Sequence, residues 1–283
     1  MPQAAKADFI YGIADDNNIY QVDTNAETST SVFNAVPFLG DPGASTRANA
    51  FAYDAGRKQF WFLDSGNNLR FWNGTATSTL PTIVAGSIVQ SSGAQPASAA
   101  FFNNSFWYFS ESVNTLNRIT LTYDVNNNPE FGAKTSFTVN SPETPIPNSD
   151  YAFGDIAINS AGILFGATVN GRFFRVDLTD LSEPTLTATS LLAPGTNPSL
   201  QISFSSDFMK LYGQSFNTGQ WYELNTGTGV ATLTTGFLQL PGLRDLGGAG
   251  AVPIPGPLPL AGAAAAFAWS RRLRRRVSQT NRR

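Results

Sequence analysis

The chain has 283 residues, of which 13% are charged, and it contains neither cysteine nor histidine. The lack of cysteine excludes disulfides and thiolate chemistry, and the lack of histidine removes the commonest general base and metal ligand. All 20 acidic residues lie at or before Asp245, but only 11 of the 18 basic residues precede Gly256, so the body has a formal charge of −9. This acidic body shows no basic stripe, which excludes nucleic acid as a partner.

The first seven residues, MPQAAKA, lack the apolar core that a signal peptide needs. Ala5-Lys6-Ala7 nevertheless has the A-x-A form of a signal-peptide end. This form predicts that residues 1–7 are the remnant of a signal peptide and that the mature protein begins at Asp8. The alternative is that a three-residue pattern arose there by chance.

Residues 8–252 repeat a strand-turn-strand unit, in which two aromatic or β-branched runs are separated by Gly, Asn and Ser. The second runs end at Asp23, Asn73, Thr120, Asp177 and Asn225, which are 47 to 57 residues apart. The recurrence of Asp and Asn there predicts a turn-capping role. The first runs are residues 9–12, 60–62, 106–108, 163–166 and 210–213, and the second runs are residues 19–24, 69–73, 116–120, 172–177 and 220–225.

Each period after the first also contains a preceding strand of small and apolar residues, each of the five has a following Thr-rich strand, and no helix-length amphipathic segment precedes the tail. Four strands in every period predict the blade of a β-propeller. The small-residue strands, residues 50–53, 99–102, 155–158 and 201–204, suit the crowded position nearest a central axis. The Thr-rich strands are residues 27–33, 76–83, 134–139, 185–192 and 229–238.

The first repeat lacks an inner strand, whereas residues 246–252 stand where a further inner strand is due. If this segment pairs with residues 9–12, the ring closes without a free edge, which predicts an all-β, five-bladed propeller. The 22 Phe, eight Tyr and five Trp fit packing between adjacent blades. An open sandwich or a β-solenoid is the alternative.

Two acidic-amide runs are candidates for cation binding. Residues 15–18 lie between two predicted strands and favour a hairpin turn, because Asp and Asn bond their own backbone. Residues 124–128 have the alternate spacing of a calcium loop, but Pro129 and Thr135 occupy the positions that need Gly and a bidentate Glu. A looser calcium site at residues 124–128 is the alternative.

The sequence contains no Gly-rich phosphate loop, nucleophile elbow or metal-binding cluster, and we predict no catalytic residue, metal or cofactor. Glu111, Glu130, Asp155 and Asp207 could supply the carboxylate pair of a glycoside-cleaving enzyme if the fold brought two of them together. Their spacing favours no particular pair.

The last thirty residues carry three features in a fixed order: a short motif, an apolar segment and an arginine cluster. As a helix, residues 258–269 would extend about 18 Å, which is short for a hydrocarbon core of about 30 Å. The arginines should hold that end on the cytoplasmic side. The motif is Val252, Pro253, Ile254 and Pro255; the apolar segment includes Leu258, Leu260, Phe267 and Trp269; the cluster is Arg271, Arg272, Arg274, Arg275 and Arg276.

This layout resembles the PEP-CTERM sorting domain of Gram-negative bacteria, whose core usually reads V-P-E-P before a short hydrophobic helix and a basic end. Ile254 stands where that family has Glu, and the resemblance covers residues 252–276, about a tenth of the chain. It implies recognition by an exosortase-type membrane protease, transient anchoring in the inner membrane and export to the cell surface or extracellular matrix. An ordinary short membrane anchor or a basic disordered end is the alternative.

We therefore expect a propeller-like domain at residues 8–252 and a sorting or anchor segment at residues 253–283. The resemblance implies an exported surface or matrix protein with a non-enzymatic binding or structural role, associated with exopolysaccharide. One alternative is a secreted carbohydrate-active enzyme that uses carboxylates. Another is a structural subunit whose partner is a second copy of the chain.

Overall fold

A computed structural model describes residues 9–14, 16, 18–34, 49–64, 67–73, 82–85, 96–151, 154–215, 217–235 and 242–248. The chain divides into two compact units, residues 1–251 and 252–283, and every described residue belongs to the first. The described residues form an all-β, propeller-like fold, as the repeat predicts. Their one helical element is a short 3-10 turn at Asn148–Tyr151.

The strands fall into sets of four. Set 1 has the order β20-β1-β2-β3, set 2 is β4 to β7, set 3 is β8 to β11, set 4 is β12 to β15 and set 5 is β16 to β19. The bounds are β1 Phe9–Ala14, β2 Asn18–Asp23, β3 Thr28–Asn34, β4 Asn49–Asp54, β5 Gln59–Leu63, β6 Leu69–Trp72, β7 Thr82–Ala85, β8 Pro96–Phe102, β9 Ser105–Ser110, β10 Thr115–Tyr123, β11 Pro129–Asn140, β12 Asp155–Ile158, β13 Ile163–Ala167, β14 Phe173–Asp177, β15 Thr185–Leu192, β16 Gln201–Phe204, β17 Leu211–Gln214, β18 Trp221–Leu224, β19 Ala231–Leu233 and β20 Leu243–Gly248.

The last described strand pairs with the first, as the unclaimed strand near the end of the body predicts. Strand β20 runs antiparallel to β1, with Ile10 opposite Gly248 and Ile13 opposite Asp245. The strand begins at Leu243, three residues before the predicted start, and residues 249–252 lie outside the described residues. Set 1 is therefore built from both ends of the described chain.

Sets 3 and 4 join into one eight-stranded sheet through their outermost strands. Strands β11 and β15 run parallel, with Thr138 opposite Thr185 and Asn140 opposite Thr187. Strand β11 has 12 residues and extends beyond the predicted strand at residues 134–139 at both ends. The sequence repeat did not predict this parallel pairing, because it concerns two strands that belong to different repeats.

The first strands of the five sets lie against one another. They contact in the cyclic order β20, β4, β8, β12 and β16, and β16 contacts β20 again. Small residues permit this approach, as predicted: Ala52, Ala99 and Ala157 are buried there. A Cβ added to Gly248 would lie 2.7 Å from the carbonyl oxygen of Phe204, so β20 and β16 need glycine at that point.

Apolar side chains fill the space between neighbouring sets. Each of the five buried hydrophobic clusters contains residues from two sets that are neighbours in the cyclic order. Trp61 of set 2 stacks on Phe101 of set 3, with ring centroids 5.7 Å apart, and Phe165 of set 4 meets Phe204 of set 5 edge-on at 5.7 Å. The prediction that aromatic residues pack between repeats is confirmed.

Candidate functional site

The predicted sorting motif, apolar segment and arginine cluster all lie within residues 252–276, outside the described residues. Within the part of the chain that the structure describes, no helix is long and apolar enough to cross a membrane. The functional residues that can be placed are therefore those of the body.

The recurring Asp and Asn residues cap turns, as predicted. The Asp23 carboxylate accepts hydrogen bonds from the backbone N–H groups of Asn25 and Ala26, both at 2.9 Å. Asp177 and Asn225, at the equivalent places in sets 4 and 5, each accept a hydrogen bond from the backbone N–H two residues further along. These oxygens stabilise the turn that follows the third strand in sets 1, 4 and 5.

Residues 124–128 form a hydrogen-bonded turn, and the described residues of the other candidate, Asp16 and Asn18, are hydrogen-bonded to each other. Asp124 Oδ1 accepts hydrogen bonds from the N–H groups of Asn126 and Asn128, both at 2.8 Å, and the Asn128 side chain bonds Oδ2. Asp16 accepts from the backbone and side chain of Asn18, at 2.9 and 2.6 Å. These oxygens are already occupied by local donors. No group of three or more acidic, Cys or His residues that could hold a metal ion occurs among the described residues.

The four acidic residues considered for glycoside cleavage lie on separate elements. Glu130 is on β11 and Asp155 begins β12, which are four strands apart in the eight-stranded sheet, or roughly 19 Å at the usual strand spacing. Asp207 caps a turn by accepting from Ser205 Oγ and Met209 N, and only burial raises the pKa of Glu111. The causes of the pKa shifts of Glu111, Asp155 and Asp207 include none of the other candidate carboxylates.

Asp155 instead pairs with Asp245, which the sequence did not single out. Both side chains are buried, with 1% and 0% of their surface exposed, and each carboxyl influences the pKa of the other. Asp155 Oδ2 accepts from the backbone N–H groups of Ile202, at 2.8 Å, and Leu246, at 3.3 Å. Asp245 Oδ2 accepts from the N–H of Phe51. The carboxyl pair thus links strands of four different sets, β12, β16, β20 and β4.

Burial decides the protonation of this carboxyl pair. Desolvation raises the pKa of Asp155 well above its ordinary value, and the neighbouring Asp245 charge raises it further. Desolvation also raises the pKa of Asp245 to about 7, against the lowering effect of its hydrogen bonds and of Arg244. Two buried carboxylates that interact do not both ionise readily, which favours one proton shared by the pair.

The strand register places Asp155 and Asp245 at equivalent positions of the repeat. Asp245 lies opposite Ile13, Asp155 opposite Ala167 and Gln201 opposite Gln214, and each of these partners follows the glycine of its second strand. Asp245, Asp155 and Gln201 therefore hold equivalent places at the start of three first strands. An Asp or Gln followed by Ile or Leu at each place was the sequence signal that could have identified Asp245.

A cavity of about 20 Å³ lies among the first strands. Its lining includes one residue from each of them: Ala52, Ala100, Ala157, Phe204 and Gly247. That volume is far below the roughly 300–1,000 Å³ of typical small-molecule pockets. Neither Asp155 nor Asp245 lines this cavity, and both are buried.

Neither a protein-family model nor a curated protein matches this chain in sequence. The chain is similar in structure to an auxiliary nutrient binding protein from Bacteroides thetaiotaomicron, with a TM-score of 0.48 and 12% sequence identity. The match covers 80% of this chain and 53% of that chain, so this chain spans about half of that protein's length. It is also similar to a chain of a nidogen–laminin complex (TM-score 0.48, 9% identity, 86% and 98% covered) and to a catalytically inactive virginiamycin B lyase from Staphylococcus aureus (TM-score 0.44, 15% identity, 86% and 75% covered).

Proposed function

We propose that this chain is an exported cell-surface or extracellular-matrix protein whose C-terminal segment directs its sorting. The observation that carries the proposal is the order of the three features in residues 252–276: the V-P-I-P motif, an uncharged apolar segment and five arginines within six positions. The resemblance to PEP-CTERM proteins supplies the processing partner, an exosortase-type membrane protease, and exopolysaccharide as the associated matrix material. The body is acidic and the C-terminal end is basic. This difference fits a body that is exported and an end that stays on the cytoplasmic side of the membrane.

We propose further that the body is a five-bladed propeller in which each set of four strands is one blade. The cyclic contact of the five first strands supports this count, as does the presence of one apolar cluster between each two neighbouring sets. The pairing of β20 with β1 supports closure of the ring, because it places the last strand of the body inside the first blade.

A non-enzymatic role is supported by the state of the acidic side chains. Asp16, Asp124 and Asp207 are engaged in turns, and Asp155 and Asp245 are buried against each other. A retaining glycosidase needs two carboxyl groups about 5–5.5 Å apart around a substrate. Asp155 and Asp245 are buried and do not line the cavity among the first strands, so this pair does not meet that requirement.

Replacing the arginine cluster tests the sorting proposal. We expect the full-length protein with Arg271, Arg272, Arg274, Arg275 and Arg276 all changed to Gln to disappear from the surface and matrix fractions of its host, because the basic end sets the orientation of the apolar segment. The variant with Arg282→Gln and Arg283→Gln is the control, since it removes terminal charge outside the cluster. An unchanged distribution of the five-arginine variant would contradict the proposal.

A further inference from the structure

The buried carboxyl pair connects the strand that closes the ring to three other strands. Asp245 and Leu246 belong to β20: the Leu246 N–H donates to Asp155 Oδ2 on β12 at 3.3 Å, and the buried Asp245 carboxyl interacts electrostatically with that of Asp155. Asp155 also accepts from Ile202 on β16, and Asp245 accepts from Phe51 on β4. Within the sheets, β20 has only β1 as a hydrogen-bonded neighbour among the described strands. The pair therefore supplies polar contacts by which β20 is tied to other sets.

We propose that Asp155 and Asp245 form a proton-operated latch, which holds β20 in the ring while the pair shares a proton and loosens β20 when that proton is lost. The protonated Asp155 carboxyl can donate to Asp245 while its other oxygen accepts from the backbone. Loss of the proton places two negative charges side by side in a buried site. Moving β20 outward is the direct way to separate and hydrate them, because Asp245 lies on that strand.

Few other charged groups surround the latch. Strands β8, β13 and β16, which pack around it, contain no titratable residue. Arg244 on β20 lowers the pKa of Asp245 and so opposes the effect of burial. On β4, Asp54 pairs with Arg57 at 3.1 Å, and burial raises the pKa of Tyr53 above its ordinary value. Tyr11 on β1 accepts a hydrogen bond from Gln21. None of these groups carries the proton that the two carboxyls share.

The direction of the pH effect follows from where the proton is held. In the unfolded chain an aspartate loses its proton near pH 4. The folded pair retains a proton above that pH, because burial raises the pKa of both residues. The folded state then binds more protons than the unfolded state, so stability falls as pH rises until the folded pair has ionised. Each retained proton changes the unfolding equilibrium constant by about tenfold per pH unit within that window.

The composition makes this effect measurable. The chain has no histidine and no cysteine, so no other side chain with an ordinary pKa titrates between pH 6 and 9. The α-amino group is the remaining ordinary titrating group in that range, and it is present in every variant. A change in stability between pH 7 and 9 that depends on Asp155 can therefore be assigned to the pair.

The test combines urea unfolding with amide hydrogen exchange on the full chain. In the wild type we expect the unfolding constant to rise with pH above 7, by up to about tenfold per unit while the folded pair retains a proton, and the protection of β20 amides to fall more than that of β14 amides. In Asp155→Asn both effects should be absent, because the amide donates to Asp245 without having a proton to lose. Asp177→Asn is the control: it removes an exposed carboxylate whose pKa is lowered, and it should keep the wild-type profile.

Three results would overturn the latch. The first is equal protection of β20 at pH 6 and 9 in the wild type, a measurement that stands even if Asp155→Asn fails to fold. The second is a wild-type pH profile in the Asp155→Asn variant. The third is a rise in the urea midpoint on adding Ca²⁺ that Asp155→Asn abolishes, because the pair would then hold a cation in place of a proton.

Discussion

Arg172 and Asp150 form a buried ion pair beside the 3-10 turn at Asn148–Tyr151. Arg172 Nε lies 3.3 Å from Asp150 Oδ2, and the two side chains are only 6% and 7% exposed. Arg172 Nη1 also donates to Ser190 Oγ at 3.4 Å, and Tyr151 stacks on Phe109 with ring centroids 5.0 Å apart. The Arg172–Asp150 ion pair and the stacked Tyr151 side chain together fix the 3-10 turn that precedes β12.

Removing one partner of this pair should be costly. We expect Asp150→Asn to lower the free energy of unfolding by about 3 kcal/mol, because it leaves the Arg172 charge buried without its carboxylate. Glu223→Gln is the matched control: it breaks the Lys210–Glu223 pair, whose side chains are 51% and 44% exposed, and it should cost less than about 1 kcal/mol. Urea denaturation measures both values, and equal costs would show that the Arg172 pair is effectively solvated.

The sequence identified the residues of the turns better than those of the buried carboxyl pair. A cap such as Asp23 bonds to residues two and three positions away, so its role is visible in local sequence. The bond between Leu246 and Asp155 joins residues 91 positions apart. Only the closure of the ring brings Asp245 to Asp155, and no spacing in the sequence encodes that meeting.

At the scale of the strand, glycine recurs in the second strand of three sets, at Gly12, Gly166 and Gly213. A Cβ at Gly12 would lie 2.7 Å from Leu243, and one at Gly213 would lie 2.9 Å from Leu224. At Gly166 the added atom would overlap the Phe174 ring. The repeated glycine therefore makes room for a large apolar side chain from a neighbouring strand.

Gly166→Ala tests this packing role. We expect it to lower the free energy of unfolding by about 1–3 kcal/mol, because the new methyl group must displace the buried Phe174 ring. Gly227→Ala is the control, since Gly227 is exposed and its nearest neighbour is the side chain of Asn225, at 3.3 Å. Thermal or urea unfolding gives both values. A Gly166→Ala variant as stable as the control would contradict the packing argument.

Strand positions followed from the sequence where apolar runs were bounded by turn residues. The predicted strands at residues 155–158, 185–192 and 201–204 coincide with β12, β15 and β16. The parallel pairing of β11 with β15 did not follow, because the Thr-rich pattern of an outer strand is the same whether or not another strand adds to its edge. Pairing between repeats depends on tertiary placement, which a repeat pattern does not contain.

At the scale of the whole molecule, the central feature is that the first and last strands of the described body are neighbours in one sheet. The pairing of β20 with β1 joins residues from the beginning and end of that body in one sheet. The prediction of this closure rested on a missing inner strand in the first repeat, so the count of strands was more informative than any motif. The tail, in contrast, was interpreted from its order of features alone, and its role remains the central proposal.

Mass spectrometry of the protein recovered from the host surface or matrix tests that proposal most directly. We predict a C-terminus between Gly248, the end of β20, and Leu258, with the arginine cluster removed by processing. Recovery of the protein only from the cytoplasm, with its C-terminus intact at Arg283, would contradict the account.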